Sequence, residues 1–165
     1  MRFPVEAAPT EYEAPGIQAK RVARVLLADA ALSSRLALKS ILSTAGYAVS
    51  GAATASEAID RLDEGEYQLV LADLRSESDE AGPRLLAYAR QKEFRPATAL
   101  LASNISETMS DSQGSDEFIS IRNGGSSSRA VHISDENVYY LLDRVAELIS
   151  HRAGRRIQRT LLRAV

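Results

Sequence analysis

Short apolar runs alternate with longer amphipathic stretches between residues 22 and 150 of this chain. The run from Leu69 to Ala72 is apolar throughout and stops at Asp73, a pattern typical of a strand buried on both faces of a parallel sheet. A second such run, RVLLA, stops in the same way at Asp29. Similar short runs bring the predicted strands to five: residues 22–28, Tyr47–Ala52, Tyr67–Asp73, Ala97–Ala102 and Glu117–Ile121.

The stretches between the strands place apolar residues at helical spacing. Gly46 suits a left-handed helix end, and either Thr54 or Ser56 can cap the helix that follows it. Residues 103–114 are polar, so a helix in this segment is expected to be short or loosely held. The clearer predicted helices cover Leu32–Leu42, Ser56–Leu62, a stretch starting near Pro83, and a long stretch from Ser134 past Ile149.

Strands that alternate with helices predict an α/β fold with a parallel sheet and helices on both of its faces. The chain order is that of a flavodoxin-like (βα)5 doubly wound sheet, with strand order 2-1-3-4-5 and an extended C-terminal helix. If strands 1 and 3 are neighbours, Asp29 and Asp73 meet at one sheet edge. This strand order is assumed, because periodicity does not supply it.

Length and composition suit one domain with extensions: 165 residues, of which 45% are hydrophobic. We expect a flexible N-terminal arm over residues 1–20, a domain over 21–150 and a basic helical extension over 151–165. The chain has no cysteine, which excludes disulfides and thiolate metal sites. Since no apolar run approaches a membrane span and the N-terminus lacks a signal-peptide pattern, the expected location is the cytoplasm.

Charge is distributed unevenly along the chain. Residues 150–165 hold five arginines and no acid, whereas the preceding 149 residues carry 15 basic and 22 acidic groups. The arginines share one face of a helix: Arg152, Arg155, Arg156, Arg159 and Arg163. Such a face predicts one of two things. It is either the solvated side of a helix that packs on its own domain, on a second copy of the chain in a homodimer or on another neighbour, or a surface that binds the anionic groups of nucleic acid or lipid. Gly154 weakens this helix and is a candidate hinge.

Four motifs resemble the receiver domain of two-component response regulators: RVLLAD, the pair Gly46–Tyr47, SEAIDRL and LVLADLR. The resemblance implies a CheY-like fold in which Asp73 accepts a phosphoryl group from a histidine kinase. It also implies that Mg²⁺ is held by two acids after strand 1 together with Asp73. A hydroxyl side chain at the end of strand 4 and a lysine at the end of strand 5 complete the family's site.

This sequence departs from the family pattern at three positions. Asp29 matches the first acid, but the second falls on Ala30; the hydroxyl position falls on Ala102, with Ser103 one residue late; and the lysine position falls on Ile121. Mg²⁺ binding by Asp29, Asp73 and the backbone carbonyl of Arg75 is therefore expected to be weak. Arg75 is either a substitute for the missing cation or a solvated loop residue.

The resemblance indicates an atypical, degenerate receiver module that acts by binding a protein partner, a histidine kinase or a downstream regulator. We expect no enzyme activity of its own, and we expect phosphorylation at Asp73 to be weak or lost. One alternative is a nucleic-acid-binding regulator that uses the arginine helix. Another is a conventional phosphoacceptor with slow chemistry. For the two carboxylates, the plainer alternatives are a turn residue at Asp73 and a helix cap at Asp29.

Overall fold

The computed structural model describes residues 22–102, 117–120 and 133–164. Five strands form one parallel sheet in the order β2-β1-β3-β4-β5, which confirms the flavodoxin-like prediction. The strands are β1 (Arg24–Asp29), β2 (Ala48–Ala52), β3 (Leu69–Asp73), β4 (Ala97–Ala102) and β5 (Glu117–Ser120). The described helices are α1 (Leu32–Thr44), α2 (Ala55–Glu64), α3 (Ala81–Gln91) and α4 (Asp135–Arg163).

The sheet is buried on both faces because alternate side chains of the central strands point to opposite helix layers. Leu27 and Leu71 lie in the layer covered by α1 and α4. Leu26 and Val70 lie in the layer covered by α2 and α3. All four side chains are fully buried, so the unbroken apolar runs seen in the sequence reflect burial from both sides.

Two local sequence signals act as predicted at helix ends. Gly46 follows the last turn of α1 with φ = 98°, and the Tyr47 amide donates to the Leu42 carbonyl at 3.1 Å, which is the left-handed closure that glycine favours. Thr54, and not Ser56, caps α2: its hydroxyl accepts from the Glu57 amide at 3.1 Å. The Glu57 carboxylate in turn accepts from the Ala53 amide at 2.8 Å.

Some predicted boundaries need correction. The third helix begins at Ala81 rather than near Pro83; proline still lies within the first turn, where its missing N–H has no helical acceptor to lose. Ser134 occupies the N-cap position of α4, but its side chain makes no capping hydrogen bond. The N-terminal arm, the predicted helix in residues 103–114, and Ile121 lie outside the described residues.

The last helix is a single element of 29 residues, about 43 Å long at the usual rise. It passes through Gly154 without interruption, so the structure has no break at the candidate hinge. The face of α4 that packs on the sheet carries Leu141, Val145 and Leu148. One turn further, that same face carries Arg152, and from there the helix extends beyond its core.

Candidate functional site

The pairing of β1 with β3 brings the two strand-terminal carboxylates together. Asp29 and Asp73 are direct partners in the parallel register, and the Ala30 amide donates to the Asp73 carbonyl at 3.2 Å. Both residues lie at the carboxyl ends of neighbouring central strands, where open α/β sheets form their ligand crevice. The predicted meeting of Asp29 and Asp73 is therefore present in the structure.

Asp29 is a buried carboxylate, with 2% of its surface exposed. Its Oδ1 accepts from the Ala31 amide at 2.9 Å, which forms a local turn two residues on. The N-cap residue of α1 is Ala31, without a side-chain cap, so the alternative that Asp29 caps this helix is wrong. Its Oδ2 is buried and has no hydrogen-bond partner in the described part of the chain.

The surroundings of Asp29 disfavour its charged form. Burial raises the pKa of Asp29 above its ordinary value, and the nearby charge of Asp73 acts in the same direction. The Ser34 hydroxyl, the Ala31 amide and the Arg35 guanidinium each lower that pKa without reversing the net rise. A buried carboxylate with an unsatisfied oxygen would be stabilised by a cation or a proton.

Asp73 is more accessible than Asp29 and lies beside a cation. The side chain of Asp73 is 16% exposed, and its Oδ1 accepts from Nε of Arg75 at 3.3 Å. Arg75 itself is 45% exposed. Arg75 is thus a solvated loop residue that also brings positive charge to Asp73.

Arg35 is a second cation at this edge, and no motif in the sequence predicted it. Its Nη1 donates to the Asp29 carbonyl at 2.6 Å, and its stem passes close to Gly51, where an added Cβ would lie 3.3 Å from Cδ. The side chain ties the start of α1 to the ends of β1 and β2. The sequence indicates this role of Arg35 only in that it is the first basic residue after Asp29.

Two of the three positions that differ from the family pattern are among the described residues, and both lie at this sheet edge. Ala30 follows β1 directly, and Ala102 is the last residue of β4. Ile121 lies outside the described residues. Among residues 22–102, 117–120 and 133–164, no three His, Cys, Asp or Glu side chains are grouped so that they would hold a metal ion.

The five C-terminal arginines do not form one equivalent set. Arg155, Arg156, Arg159 and Arg163 are exposed, but Arg152 is buried, with 6% of its surface exposed. Its Nη2 donates to the Phe94 carbonyl at 2.6 Å and its Nε to the Arg95 carbonyl at 3.0 Å. The prediction that Arg152 belongs to an exposed face is therefore wrong, because the face that carries it still packs on the domain.

Within the described parts of the chain, no helix has the length and apolar character needed to cross a membrane.

Comparison of the sequence gave no match to a protein-family model and none to a curated protein. Comparison of the structure gave clear matches. A receiver domain from Methanospirillum hungatei superposes with a TM-score of 0.62 at 22% identity, covering 81% of this chain and 98% of that chain. The receiver domain of an HD domain-containing protein from Pseudomonas fluorescens gives 0.62 at 21% identity, covering 87% and 98%.

The response regulator TrrA from Thermotoga maritima, solved in complex with Mg²⁺ and BeF, gives a TM-score of 0.58 at 25% identity, covering 77% of this chain and 99% of that chain. TrrA has also been solved in complex with the histidine kinase ThkA. These matches cover nearly the whole of each matched chain. The chain therefore has the fold of the CheY-like receiver domains of response regulators.

Proposed function

We propose that this chain is an atypical receiver module of two-component signalling that acts by binding a partner protein, with phosphorylation at Asp73 weak or lost. Such a module transmits a signal by contact and turns over no substrate of its own. The observation that carries the proposal is the pairing of the Asp73 carboxylate with the Arg75 guanidinium at 3.3 Å.

This pairing competes with phosphoryl transfer at the acceptor position. A carboxylate that attacks phosphorus needs a free oxygen and a cation that contacts the transferring group. The Arg75 guanidinium instead neutralises the attacking group itself, and it reaches that group from the loop just after β3. The ion pair between Asp73 and Arg75 therefore stabilises the site without a phosphoryl group and disfavours phosphoryl transfer to Asp73.

The donors for Mg²⁺ are also incomplete, which supports the same proposal. The unsatisfied Oδ2 of Asp29 is a suitable oxygen ligand, and Asp73 lies beside it. The side chain of Ala30, however, supplies no oxygen, and Mg²⁺ prefers an octahedral set of oxygen ligands. The described residues therefore fit a Mg²⁺ ion poorly.

Exposed apolar side chains near the same sheet edge support contact with a protein partner. Leu32 and Leu36 in the first turns of α1 are 60% and 57% exposed. Tyr139, in the first turns of α4, is 71% exposed, and both helices cover the same sheet face. A structural neighbour has been solved in complex with a histidine kinase, so a kinase or a downstream regulator is the proposed partner class.

Labelling by acetyl phosphate with Mg²⁺ tests the proposal, with Asp73→Asn as the control for the labelled position. We expect the wild-type chain to label slowly. The double variant Ala30→Asp with Arg75→Met restores an acid and removes the competing cation. It should label at least roughly tenfold faster, since a single electrostatic group at a reacting centre is worth about 3 kcal/mol.

Rapid and complete labelling of the wild-type chain at Asp73 would overturn the proposal and favour a conventional phosphoacceptor. Equal slow labelling of the wild type and of Arg75→Met alone would show that the guanidinium is not the inhibiting group. Arg84→Met is a matched control, since Arg84 pairs with Glu80 at the N-cap of α3 rather than with either strand-terminal carboxylate.

A further inference from the structure

A basic groove lies beneath the C-terminal part of α4, formed with the segment that leads into β4. Its volume is about 490 Å³. Six arginines line it: Arg90, Arg95, Arg152, Arg155, Arg156 and Arg159. An adjoining cavity of about 500 Å³ shares Arg95, Arg156 and Arg159 and extends the groove to Arg163. The groove is open at the amino ends of the strands, the sheet edge opposite Asp29 and Asp73.

The groove arises because α4 continues past the part of the sheet that it covers, and the side chains on its inner face change there from apolar to basic. Val145 and Leu148 on that face are buried against the sheet. At 100° per residue, Arg152, Arg156, Arg159 and Arg163 continue the same face. From Arg152 to Arg163 this row extends about 16 Å along the helix axis.

Two contacts hold the arginine row in place relative to the domain. Arg152 is fixed by its hydrogen bonds to the carbonyls of Phe94 and Arg95. Arg95 itself has φ = 40°, the left-handed region that residues other than glycine rarely adopt, and it precedes Pro96. This backbone conformation is sparsely populated and persists only where surrounding contacts impose it, so one wall of the groove is conformationally defined.

The positive charge of the groove is not balanced by its own lining. Glu93 is the one acidic residue among the described residues that line the two cavities, and it is exposed. Burial and the charge of Arg156 both lower the pKa of Arg152, against the opposing effect of Glu66. Adjacent guanidinium groups therefore repel one another here, and a bound polyanion would relieve that repulsion.

We propose that this groove binds the phosphodiester backbone of a nucleic acid. Guanidinium groups match phosphate oxygens in geometry and remain charged at all physiological pH values. One strand carries a phosphate about every 3.4 Å of duplex axis, so a backbone that passes along the row of about 16 Å offers enough phosphates for the four exposed arginines of the extension. A phosphodiester backbone is a narrow chain with regularly spaced negative charges, so it matches both the concave shape of the groove and the length of the arginine row.

The geometry disfavours an anionic membrane as the occupant. Of the exposed apolar residues of the extension, Ile157 and Leu161 lie about 140° and 180° around the helix from Arg152, whereas Leu162 lies about 80° from it and lines the adjoining cavity. A bilayer that buries Ile157 and Leu161 would leave the arginine row pointing away from the lipid headgroups.

Recognition is expected to be independent of sequence. Phe94 is the only aromatic residue among those that line the two cavities, and it is buried with 9% of its surface exposed. The described lining therefore offers bases no exposed ring for stacking. Contacts to phosphate position a protein on nucleic acid without reading its sequence, and the groove uses only that kind of contact.

Fluorescence anisotropy with labelled 20-residue DNA, single-stranded and duplex, tests the proposal on the full chain. We expect the affinity to fall steeply with salt, with a log–log slope on the order of 4 for the duplex. Arg155→Ala with Arg159→Ala should weaken binding roughly tenfold and reduce the slope by about 2, since two phosphate contacts are lost. Unrelated sequences of equal length should bind with equal affinity.

Lys39→Ala with Arg84→Ala is the matched control. It removes the same net charge from exposed positions on α1 and α3 and should leave both the affinity and the slope nearly unchanged. Circular dichroism should show equal helix content in all variants. The proposal is overturned by the absence of DNA binding, by an equal loss in the control, or by binding to vesicles of anionic phospholipid but not to DNA. It does not depend on phosphorylation, so Asp73→Asn should bind DNA as the wild type does.

Discussion

The two edges of the sheet differ in charge and in the way that charge is positioned. At the carboxyl edge, Asp29 and Asp73 are brought together by strand register, and each has an arginine close by. At the amino edge, the arginines of the basic groove belong mainly to one helix that outruns its core. Each of the two carboxylates at the carboxyl edge thus lies near one arginine, whereas the described lining of the basic groove has seven arginines and one acid. An anionic partner would therefore stabilise the basic groove at the amino edge more than any charged partner would stabilise the carboxyl edge.

Arg152→Ala should give the largest effect, because it removes the contact that joins the groove to the domain. Two carbonyls, of Phe94 and Arg95, would lose their donor. The bond to the Phe94 carbonyl is buried and the bond to the Arg95 carbonyl is partly buried. Leaving a buried polar group unpaired costs about 1–3 kcal/mol, so we expect the free energy of unfolding to fall by about 2 kcal/mol. Urea denaturation measures this change. Arg155→Ala, at an exposed position one turn away, should change it by less than about 0.5 kcal/mol; equal losses in the two variants would contradict the anchoring role of Arg152.

Asp29→Asn should give a smaller effect of opposite sign at the carboxyl edge. The folded-state pKa of Asp29 is raised mainly by burial, so the folded chain binds a proton at higher pH than the unfolded chain does. Stability therefore falls as pH rises through the folded pKa. At pH 7 the variant should be more stable by on the order of 1 kcal/mol, the scale of one relieved buried polar group.

The gain from Asp29→Asn should shrink as the pH is lowered towards the unfolded pKa, because the wild-type carboxyl then becomes neutral as well. Thermal unfolding of both proteins between pH 4 and pH 7.5 measures this trend. A gain that grows on acidification would contradict the assigned direction. Asp60→Asn is a control at an exposed carboxylate and should show little change.

Gly154→Ala should give the smallest effect, and it tests whether the basic extension stays a straight helix when it binds. An added Cβ at Gly154 meets nothing within 4 Å, and alanine is favoured over glycine in a helix interior by about 1 kcal/mol. We expect slightly higher helix content by circular dichroism and DNA affinity equal to or above that of the wild type. Lower affinity in this variant would show that the extension bends at Gly154 in order to bind.

Much of the fold was predictable because its signals are local. The unbroken apolar runs of β1 and β3 predicted burial on both faces, and Gly46 and Thr54 predicted helix ends that the structure contains. The predicted helix starts were less accurate. Helix α3 begins at Ala81, two residues before Pro83, and the sequence did not indicate this start because no side chain caps the helix there. The carboxylate pair was predicted only through an assumed strand order.

The sequence by itself determined the alternation of strands and helices, the carboxylates at two strand ends, and the run of arginines near the C-terminus. These follow from the spacing of side chains along one chain. Only the tertiary structure decided that Arg75 contacts Asp73, that Arg35 holds the end of β1, and that Arg152 is buried while its neighbours line a groove. Such roles depend on which distant segments lie side by side, and the periodicity of a single segment carries no information about its neighbours in space.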